Sequence, residues 1–280
     1  MSQRSQCEVL LSAHFSVWYG EGPPTLRDVE LEILQGEVMG LVGQSGSGKS
    51  TLALTILGLL DRKQAHAEGT IQFENCDLLK LREGDLRSLR GRKLALVLQS
   101  PLSSLNPALR VRTQLREAWR AHAVGNGAEC EPAIRAALEN VSLPSGDEFL
   151  RKFPSQMSVG QAQRVLIAMA ILHRPALLIA DEATSALDVI TQAEILALFR
   201  EVNRQTGMAI LYISHDLPSV AGICQRIAIL HEGEIVECGA TEQIFTAPVH
   251  AYTRRLMEAL PHLPTRHEAP IAKAQAATSD

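Results

Sequence analysis

Val38-Met39-Gly40-Leu41-Val42-Gly43-Gln44-Ser45-Gly46-Ser47-Gly48-Lys49-Ser50-Thr51 reads as a strand, a glycine loop and the start of a helix. Val38 to Val42 is a short, unbroken apolar run, the pattern of a strand buried on both faces in a parallel sheet. Ser50 to Leu60 continues as an apolar helix. Between them, Gly43 to Ser50 matches G-x-x-x-x-G-K-[ST]. The glycines let backbone N–H groups turn inward around phosphate oxygens. The helix that follows aims the positive end of its dipole at the same point. Lys49 supplies a compact cation for β- and γ-phosphates, and the Ser50 hydroxyl suits Mg²⁺.

Outward from this stretch, the N-terminal side alternates. Val9, Leu11, Ala13, Phe15, Val17 and Tyr19 share one face, and Val29, Leu31 and Ile33 alternate with acidic residues. Both segments predict half-buried antiparallel strands. On the C-terminal side, buried strands recur at Leu94 to Leu98, Leu177 to Ala180 and Ala209 to Ile213, with room for crossover helices. Ile227 to Leu230 and Ile235 to Cys238 flank a turn and predict a hairpin. Between about 105 and 173 strands vanish. Val111, Leu115 and Trp119, then Ile134, Leu138 and Val141, recur at helical spacing, with loop signals at Gly125, Gly127, Pro144 and Gly146. The expectation is an α/β core with an N-terminal antiparallel β subdomain and an inserted helical subdomain at about 105–173. The domain is expected to span 1–261, with 262–280 a disordered tail of Ala, Pro and charge.

Composition narrows the class. The chain has 280 residues, 46% hydrophobic and 21% charged, with a net charge of −4. That is globular, and it lacks the basic footprint of a nucleic-acid binder. Cys7, Cys76, Cys130, Cys224 and Cys238 form no C-x-x-C pair, so free thiols in a reducing compartment are expected, not a zinc site. The longest apolar stretch, Val165 to Leu172, is far short of the ~20 residues that span a bilayer. A soluble chain is expected, and any membrane-spanning part would belong to another chain. Lys80 to Lys93 carries six basic and two acidic residues. A solvated face is the simpler reading, contact with anionic lipid headgroups the sharper one.

A second set of polar residues sits at strand ends. Leu177 to Ala180 runs into Asp181-Glu182. Carboxylates at the carboxyl end of a buried parallel strand lie where such sheets bind ligands. Asp181 suits Mg²⁺ through water, and Glu182 suits polarising an attacking water. His215 follows the strand at 209–213, where it could meet a terminal phosphate.

Taken in order, Gly43–Ser50, Gln99, Met157-Ser158-Val159-Gly160-Gln161, Asp181-Glu182, Ser185-Ala186-Leu187-Asp188 and His215 resemble an ATP-binding-cassette (ABC) ATPase across nearly the whole chain. The resemblance implies a P-loop NTPase core, ATP and Mg²⁺ as ligands, and roles position by position. Tyr19 corresponds to the aromatic on which adenine stacks, with Trp18 facing the other way. Gly43, Gln44, Ser45, Gly46, Ser47, Gly48, Lys49, Ser50 and Thr51 cradle the phosphates. Ser50, Gln99 and Asp181 serve the metal. Glu182, His215, Gln99 and Lys49 serve hydrolysis. Ser158, Gly160 and Gln161 contact ATP held by a second subunit, and Asp188 contacts that subunit. The family works as a head-to-tail pair, hetero- or homodimeric, with two ATP molecules between the subunits. Lys49 and Glu182 of one chain therefore serve one composite site, and Ser158 serves the other.

Gln99 to Pro107, Gln161 to Ala170, Asp188 to Leu196 and His250-Ala251-Tyr252-Thr253-Arg254 resemble the peptide/nickel branch of bacterial importers. That implies a second ATPase chain, two membrane permeases and, indirectly, an extracytoplasmic solute-binding protein. It places the chain peripherally on the cytoplasmic face of the cell membrane. The cargo would be a peptide, nickel or a metal chelate of the opine type, and nucleic acid is not a partner. The alternative is a non-transport cassette ATPase of DNA repair or translation, which would carry a coiled-coil insertion, zinc cysteines or a second cassette. Leu102 to Val111 would suit a groove for a permease helix.

Three departures from the family pattern stand out. Met157 is a mild packing change. Ala183 stands where proline is common. Val159 replaces a glycine near the nucleotide. It is costly if that backbone needs positive φ, and tolerable if it lies in the first turn of a helix. The costly case would weaken the composite site completed by Met157–Gln161. With no cysteine after Cys238, no C-terminal iron–sulfur segment is expected.

Overall fold

The computed structural model describes residues 8–123 and 127–260. Gly125 and the expected tail at 262–280 lie outside the described residues. Among the described residues, ten strands form two sheets. The first is antiparallel, in the order β2-β1-β4-β5, from β1 (Val9–Tyr19), β2 (Leu26–Leu34), β4 (Ala65–Phe73) and β5 (Cys76–Asp77). The second has the order β10-β9-β3-β8-β7-β6, from β3 (Val38–Val42), β6 (Leu94–Val97), β7 (Leu177–Asp181), β8 (Ala209–Ser214), β9 (Arg226–His231) and β10 (Glu234–Ala240). Its five inner pairings are parallel except the closing β9–β10 hairpin.

The central strands show why their apolar runs are continuous. In β8, Ile210 and Tyr212 enter one core layer while Ala209, Leu211 and Ile213 enter the other. One layer packs against the helices. The other is enclosed by the antiparallel sheet and α1 (Lys49–Ile56), which contributes Leu52, Ala53 and Ile56. Each such Leu or Ile contributes about 1.5–3 kcal/mol on burial. The sheet is therefore held from both sides, and its strand ends are fixed relative to one another.

α1 ends earlier than the sequence suggests, at Ile56 rather than Leu60. Gly58 takes φ 61, Gly58 N–H donates to Thr55 O and Leu59 N–H to Leu54 O. This is a Schellman ending, which only a residue free to adopt positive φ closes without strain. Arg90, just after α2 (Glu83–Leu89), donates to the carbonyls of Leu57 and Gly58 and to Glu83. Two more cations of the basic run are also paired, Lys80 with Asp77 and Lys93 with Glu74. The pairing favours the solvated-face reading of that run.

Between β6 and β7 the described residues form helices and no strand. The α-helices are α3 (Pro101–Ser104), α4 (Val111–Arg120), α5 (Cys130–Asn140), α6 (Asp147–Leu150) and α7 (Val159–Ile171). Val111, Leu115, Trp119, Ile134, Leu138 and Val141 all enter the core. After β7, α8 (Val189–Thr206) and α9 (Leu217–Ile223) return the chain to the sheet, and α10 (Thr241–Thr246) and α11 (Ala251–Glu258) close it.

Two features of the first sheet were not legible in the sequence. β4 went unread because its middle, Glu68-Gly69-Thr70, is polar and exposed, and Gly69 at φ 119 packs its bare Cα against His14 O and Phe15 Cα. Tyr19 shares the alternation of Val17 but ends β1 and is 40% exposed. Trp18 does face away from Val17, and its ring stacks on His66 at 5.0 Å. No helix among the described residues is long and apolar enough to cross a membrane.

Gly40 in β3 faces α9. A Cβ there would lie 2.5 Å from Val220 Cγ1 and 3.1 Å from Cys224 Sγ. Gly40→Ala is expected to lose about 1–3 kcal/mol to overpacking. Urea unfolding followed by far-UV circular dichroism measures it, and an unchanged midpoint would mean that α9 does not seat against β3 in this way.

Candidate active site

β3 lies between β8 and β9 and delivers its chain directly into Gly43. A Cβ at Gly43 would collide with Leu230 O of β9 and lie 2.6 Å from Ser47 Oγ, so only glycine fits. Gly46 (φ 81) and Gly48 (φ 106) turn the loop, and Gly48 is the N-cap of α1 without a side chain of its own. A Cβ on Gly48 would meet Leu26 Cδ2 at 2.5 Å. No side chain caps the first turn of α1, which leaves its N–H groups available to an anion.

Lys49 lies beneath this loop and is only 6% exposed. Its ammonium donates to Gly43 O at 2.8 Å and Gln44 O at 3.0 Å. It sits 3.9 Å from Glu182 Oε1. Burial lowers the Lys49 pKa, and Glu182 and Asp181 oppose that. Gln44, Ser45 and Gly46 are exposed, Ser47 is buried, and Thr51 accepts the Thr55 hydroxyl at its carbonyl.

Asp181 is the last residue of β7 and pairs with Ile213 of β8. Burial raises the Asp181 pKa, and the Ser50 hydroxyl opposes that. Glu182 follows in the left-handed region at φ 48, its N–H donating to Ile213 O at 3.0 Å. Holding a non-glycine residue there costs about 1–3 kcal/mol. The kink sets Glu182 Oε1 3.2 Å from His215 Nδ1, just beyond β8. Lys49, Asp181, Glu182 and His215 thus converge at the carboxyl ends of three adjacent strands. Gln99 lies two residues past β6, in register beside the end of β7, with its side chain exposed.

The arrangement fits a nucleotide phosphate and a hard cation. Ser47 Oγ and Asp181 Oδ1 are buried with no hydrogen-bond partner. Orphaned buried acceptors of this kind are rare unless a ligand, ion or water serves them. The buried Lys49 cation and a helix N-terminus without a side-chain cap complete the set.

Ser158, Gly160, Gln161 and Asp188 form a separate group. Ser158 caps α7 in a reciprocal box, with Gln161 N–H on Ser158 Oγ at 3.2 Å and Ser158 N–H on Gln161 Oε1 at 3.3 Å. Val159 therefore falls in the first helical turn, outside the positive-φ region and 38% exposed. Of the two alternatives for this position, the tolerable one is realised. Asp188 caps α8, accepting from Ile190 N–H, Thr191 N–H and the Thr191 hydroxyl. Those bonds hold its carboxyl below the usual range. Thr191 also touches the other helix, since a Cβ at Gly160 would lie 2.7 Å from Thr191 Cγ2. Among the described residues, no hydrogen bond or ion pair joins this group to residues 43–51. Ala183 is buried, and Thr184 beside it bonds Tyr212 at 2.8 Å.

Sequence reasoning missed Thr191, and it assigned Tyr252 no role. Tyr252 is 4% exposed and stacks on His231. Its signal was the His250–Arg254 stretch, which marks the chain without saying what it touches.

Asp181 generates a stability prediction. Its carboxyl titrates higher folded than unfolded. It therefore favours the folded state below its unfolded pKa, and that contribution fades as pH rises through the folded value. Without nucleotide or divalent metal, Asp181→Asn is expected to melt above the parent near neutral pH, the gap closing on acidification. Calorimetry in a chelator tests this; a lower melting temperature at neutral pH would contradict it.

Residues 26–185 match the family profile described as ABC transporter, and 236–280 match the oligopeptide/dipeptide transporter C-terminal region. The chain is 42% identical over 264 residues to the peptidoglycan transport ATP-binding protein YejF of Agrobacterium fabrum, covering 92% of this chain and 48% of that protein. It is 41% identical to the dipeptide transport ATP-binding protein DppD of Haemophilus influenzae, covering 88% and 76%. Against the glutathione import ATP-binding protein GsiA of Salmonella choleraesuis it is 39% identical, covering 87% and 40%. The chain therefore spans about half or less of two of these relatives. Among solved structures, cbiO1 of Clostridium perfringens aligns with a TM-score of 0.75 at 26% identity, covering 86% and 92%. The dimeric cassette MJ0796 bound to ADP and phosphate aligns with 0.70 at 28%, covering 83% and 98%. The phosphate loop, the paired strand-end carboxylates and these matches agree: the chain belongs to the ABC transporter family, with the C-terminal region of its oligopeptide/dipeptide members.

Proposed function

We propose that this chain is the ATP-hydrolysing subunit of a peptide-type importer, working on the cytoplasmic face of the cell membrane. The observation that carries the reading is the convergence of Lys49, Asp181, Glu182 and His215 at one sheet edge, beside a helix N-terminus without a side-chain cap. Residues 43–51 hold the phosphates of ATP, with Lys49 as the cation for the β- and γ-groups. Mg²⁺, when bound by Ser50, Gln99 and Asp181, neutralises phosphate charge. Glu182 accepts the proton of a water aimed at the terminal phosphorus, whose bond to the bridging oxygen breaks. His215 holds the Glu182 carboxylate and faces the same phosphate. Tyr19, exposed at the end of β1, stacks on adenine.

Ser158, Gly160, Gln161 and Asp188 serve a second ATPase subunit packed head to tail. Their separation from the phosphate loop within one chain supports this. The dimeric, ADP-bound cassette with the same fold supports it as well. Val159 alters the surface shown to that partner, not the backbone of its own helix. Two permeases and, through them, a solute-binding protein complete the assembly. The C-terminal match and the dipeptide, glutathione and peptidoglycan relatives favour a peptide cargo over nickel or a metal chelate.

The test is Mg²⁺-ATP hydrolysis by the chain with its partner ATPase. Glu182→Gln is expected to reduce the rate at least about 100-fold while leaving ATP binding intact. Lys49→Ala is expected to lose binding. Full hydrolysis by the Glu182→Gln variant would remove the proposed base.

A further inference from the structure

The basic run before β6 divides into two parts. Lys80, Arg90 and Lys93 are taken up by ion pairs with Asp77, Glu83 and Glu74. Arg87 and Arg92 are exposed, and among the described residues neither guanidinium has a hydrogen bond or an ion pair. Both line one cleft of about 390 Å³, together with Ser88 of α2 and with His122, just past the end of α4. No carboxylate lines it. Glu83, which feels the charge of Arg87, is bound by Arg90 at 2.6 Å. The Ser88 hydroxyl donates to Asp85 O.

His122 is fixed where the inserted helices meet the sheet domain. Its ring lies against the backbone of Gly91, at which a Cβ would come within 2.6 Å of Nε2. Gly91 turns there with φ 75, its N–H donating to Leu94 O at 2.7 Å. From the other side the His173 ring meets His122 edge-on at 5.6 Å. His173 is itself anchored, its Nε2–H donating to Trp119 O at 3.0 Å. The groups that face His122 are therefore His173 after α7, Arg92 before β6 and Arg87 of α2. Burial first, and then the positive charge of these three, hold its pKa below the ordinary histidine value.

Two guanidinium groups and an imidazole thus share a cleft that supplies no anion, in a chain whose net charge is −4. Gathering like charges costs free energy unless an opposite charge joins them. An oxyanion is the complement. Guanidinium forks match phosphate oxygens with paired N–H donors, and an imidazolium adds another. The cleft is within the size range of small-ligand sites. It shares no residue with 43–51.

We propose that the cleft between α2 and the end of α4 is a phosphate-binding site separate from the phosphate loop, in which Arg87, Arg92 and His122 receive the phosphate group of a soluble compound or of an anionic lipid headgroup. This does not depend on residues 43–51 holding ATP. A phosphate in the cleft is held from the sheet domain by Arg87 and Arg92 and from the inserted helices by His122, so its binding restrains one against the other.

The test uses the full chain and two probes, inorganic pyrophosphate in a chelator and vesicles of phosphatidylglycerol compared with phosphatidylcholine. The local readout is the His122 ring Cε1–H resonance, assigned with His122→Asn. Pyrophosphate is expected to shift that resonance and to raise the pH midpoint of His122, because a bound anion favours the imidazolium. The response is expected to persist in Lys49→Ala, which disables the phosphate loop. Arg87→Gln/Arg92→Gln is expected to melt with the parent and to bind Mg²⁺-ATP normally. It is expected to lose at least about tenfold in pyrophosphate affinity at His122 or in selective binding to phosphatidylglycerol, the worth of one charge-assisted hydrogen bond. A pyrophosphate response without vesicle selectivity assigns a soluble ligand, and the reverse assigns a lipid headgroup. If the double variant weakens neither, the cleft is not a phosphate site and the proposal is overturned. It also falls if Lys49→Ala abolishes the His122 response while the double variant keeps it, since the signal then comes from the phosphate loop. If the parent binds no Mg²⁺-ATP yet His122 responds, the reading of residues 43–51 falls and this one stands.

Discussion

A buried ammonium has to be solvated by something, and Lys49 is solvated by the carbonyls of Gly43 and Gln44, in the loop that precedes it. Removing such a charge from water without partners would cost several kcal/mol. The carbonyls can serve it only while the loop keeps its shape, and the shape depends on neighbours. Leu230 O forbids a side chain at Gly43, and Leu26 forbids one at Gly48. Both sheets thus contribute a wall to one loop, and the two core layers keep those walls in place. Glu182 and Asp181 add the opposite charge from the next strands, so the cation is shared between the loop and the sheet edge.

The same geometry explains why the strained residue is Glu182 and not its neighbour. Asp181 still belongs to β7 and bonds along the ladder. Its successor must leave the sheet at once for its carboxylate to meet both Lys49 and His215, and the left-handed kink achieves that in one residue. The two carboxylates then occupy different environments. One has an oxygen buried without a partner, and the other lies between a cation and an imidazole. Groups set apart in this way can take different tasks.

Much of this was legible in the sequence, for a reason that can be named. β3, the loop and α1 must each use particular residue types, so their letters report their geometry. The strand-end carboxylates were legible because a buried apolar run marks where the sheet stops. Elsewhere a residue's state is decided by partners distant in the chain. β4 is polar in its middle and is a strand because β1 pairs with it. The conformation at Val159 is decided by the Ser158–Gln161 box, which a sequence reading can place only once the helix start is known. Tyr19 follows the alternation of β1 in letters but leaves the core because the strand ends there. Tyr252 belongs to a recognisable stretch, yet its contact with His231 exists only once α11 folds back on β9.

Gly160 and Thr191 couple two helix starts that a sequence treats as unrelated. Thr191 cannot turn aside easily, because its hydroxyl is bound to Asp188 and its methyl faces Gly160. The two positions are therefore not free to drift independently. A lineage that acquires alanine at 160 must first have traded Thr191 for something smaller. If that something also loses the hydroxyl, it gives up the bond to Asp188. Serine at 191 is the one step that keeps the bond and clears the space. A single methyl group thus constrains which side chains this pair of positions can hold together.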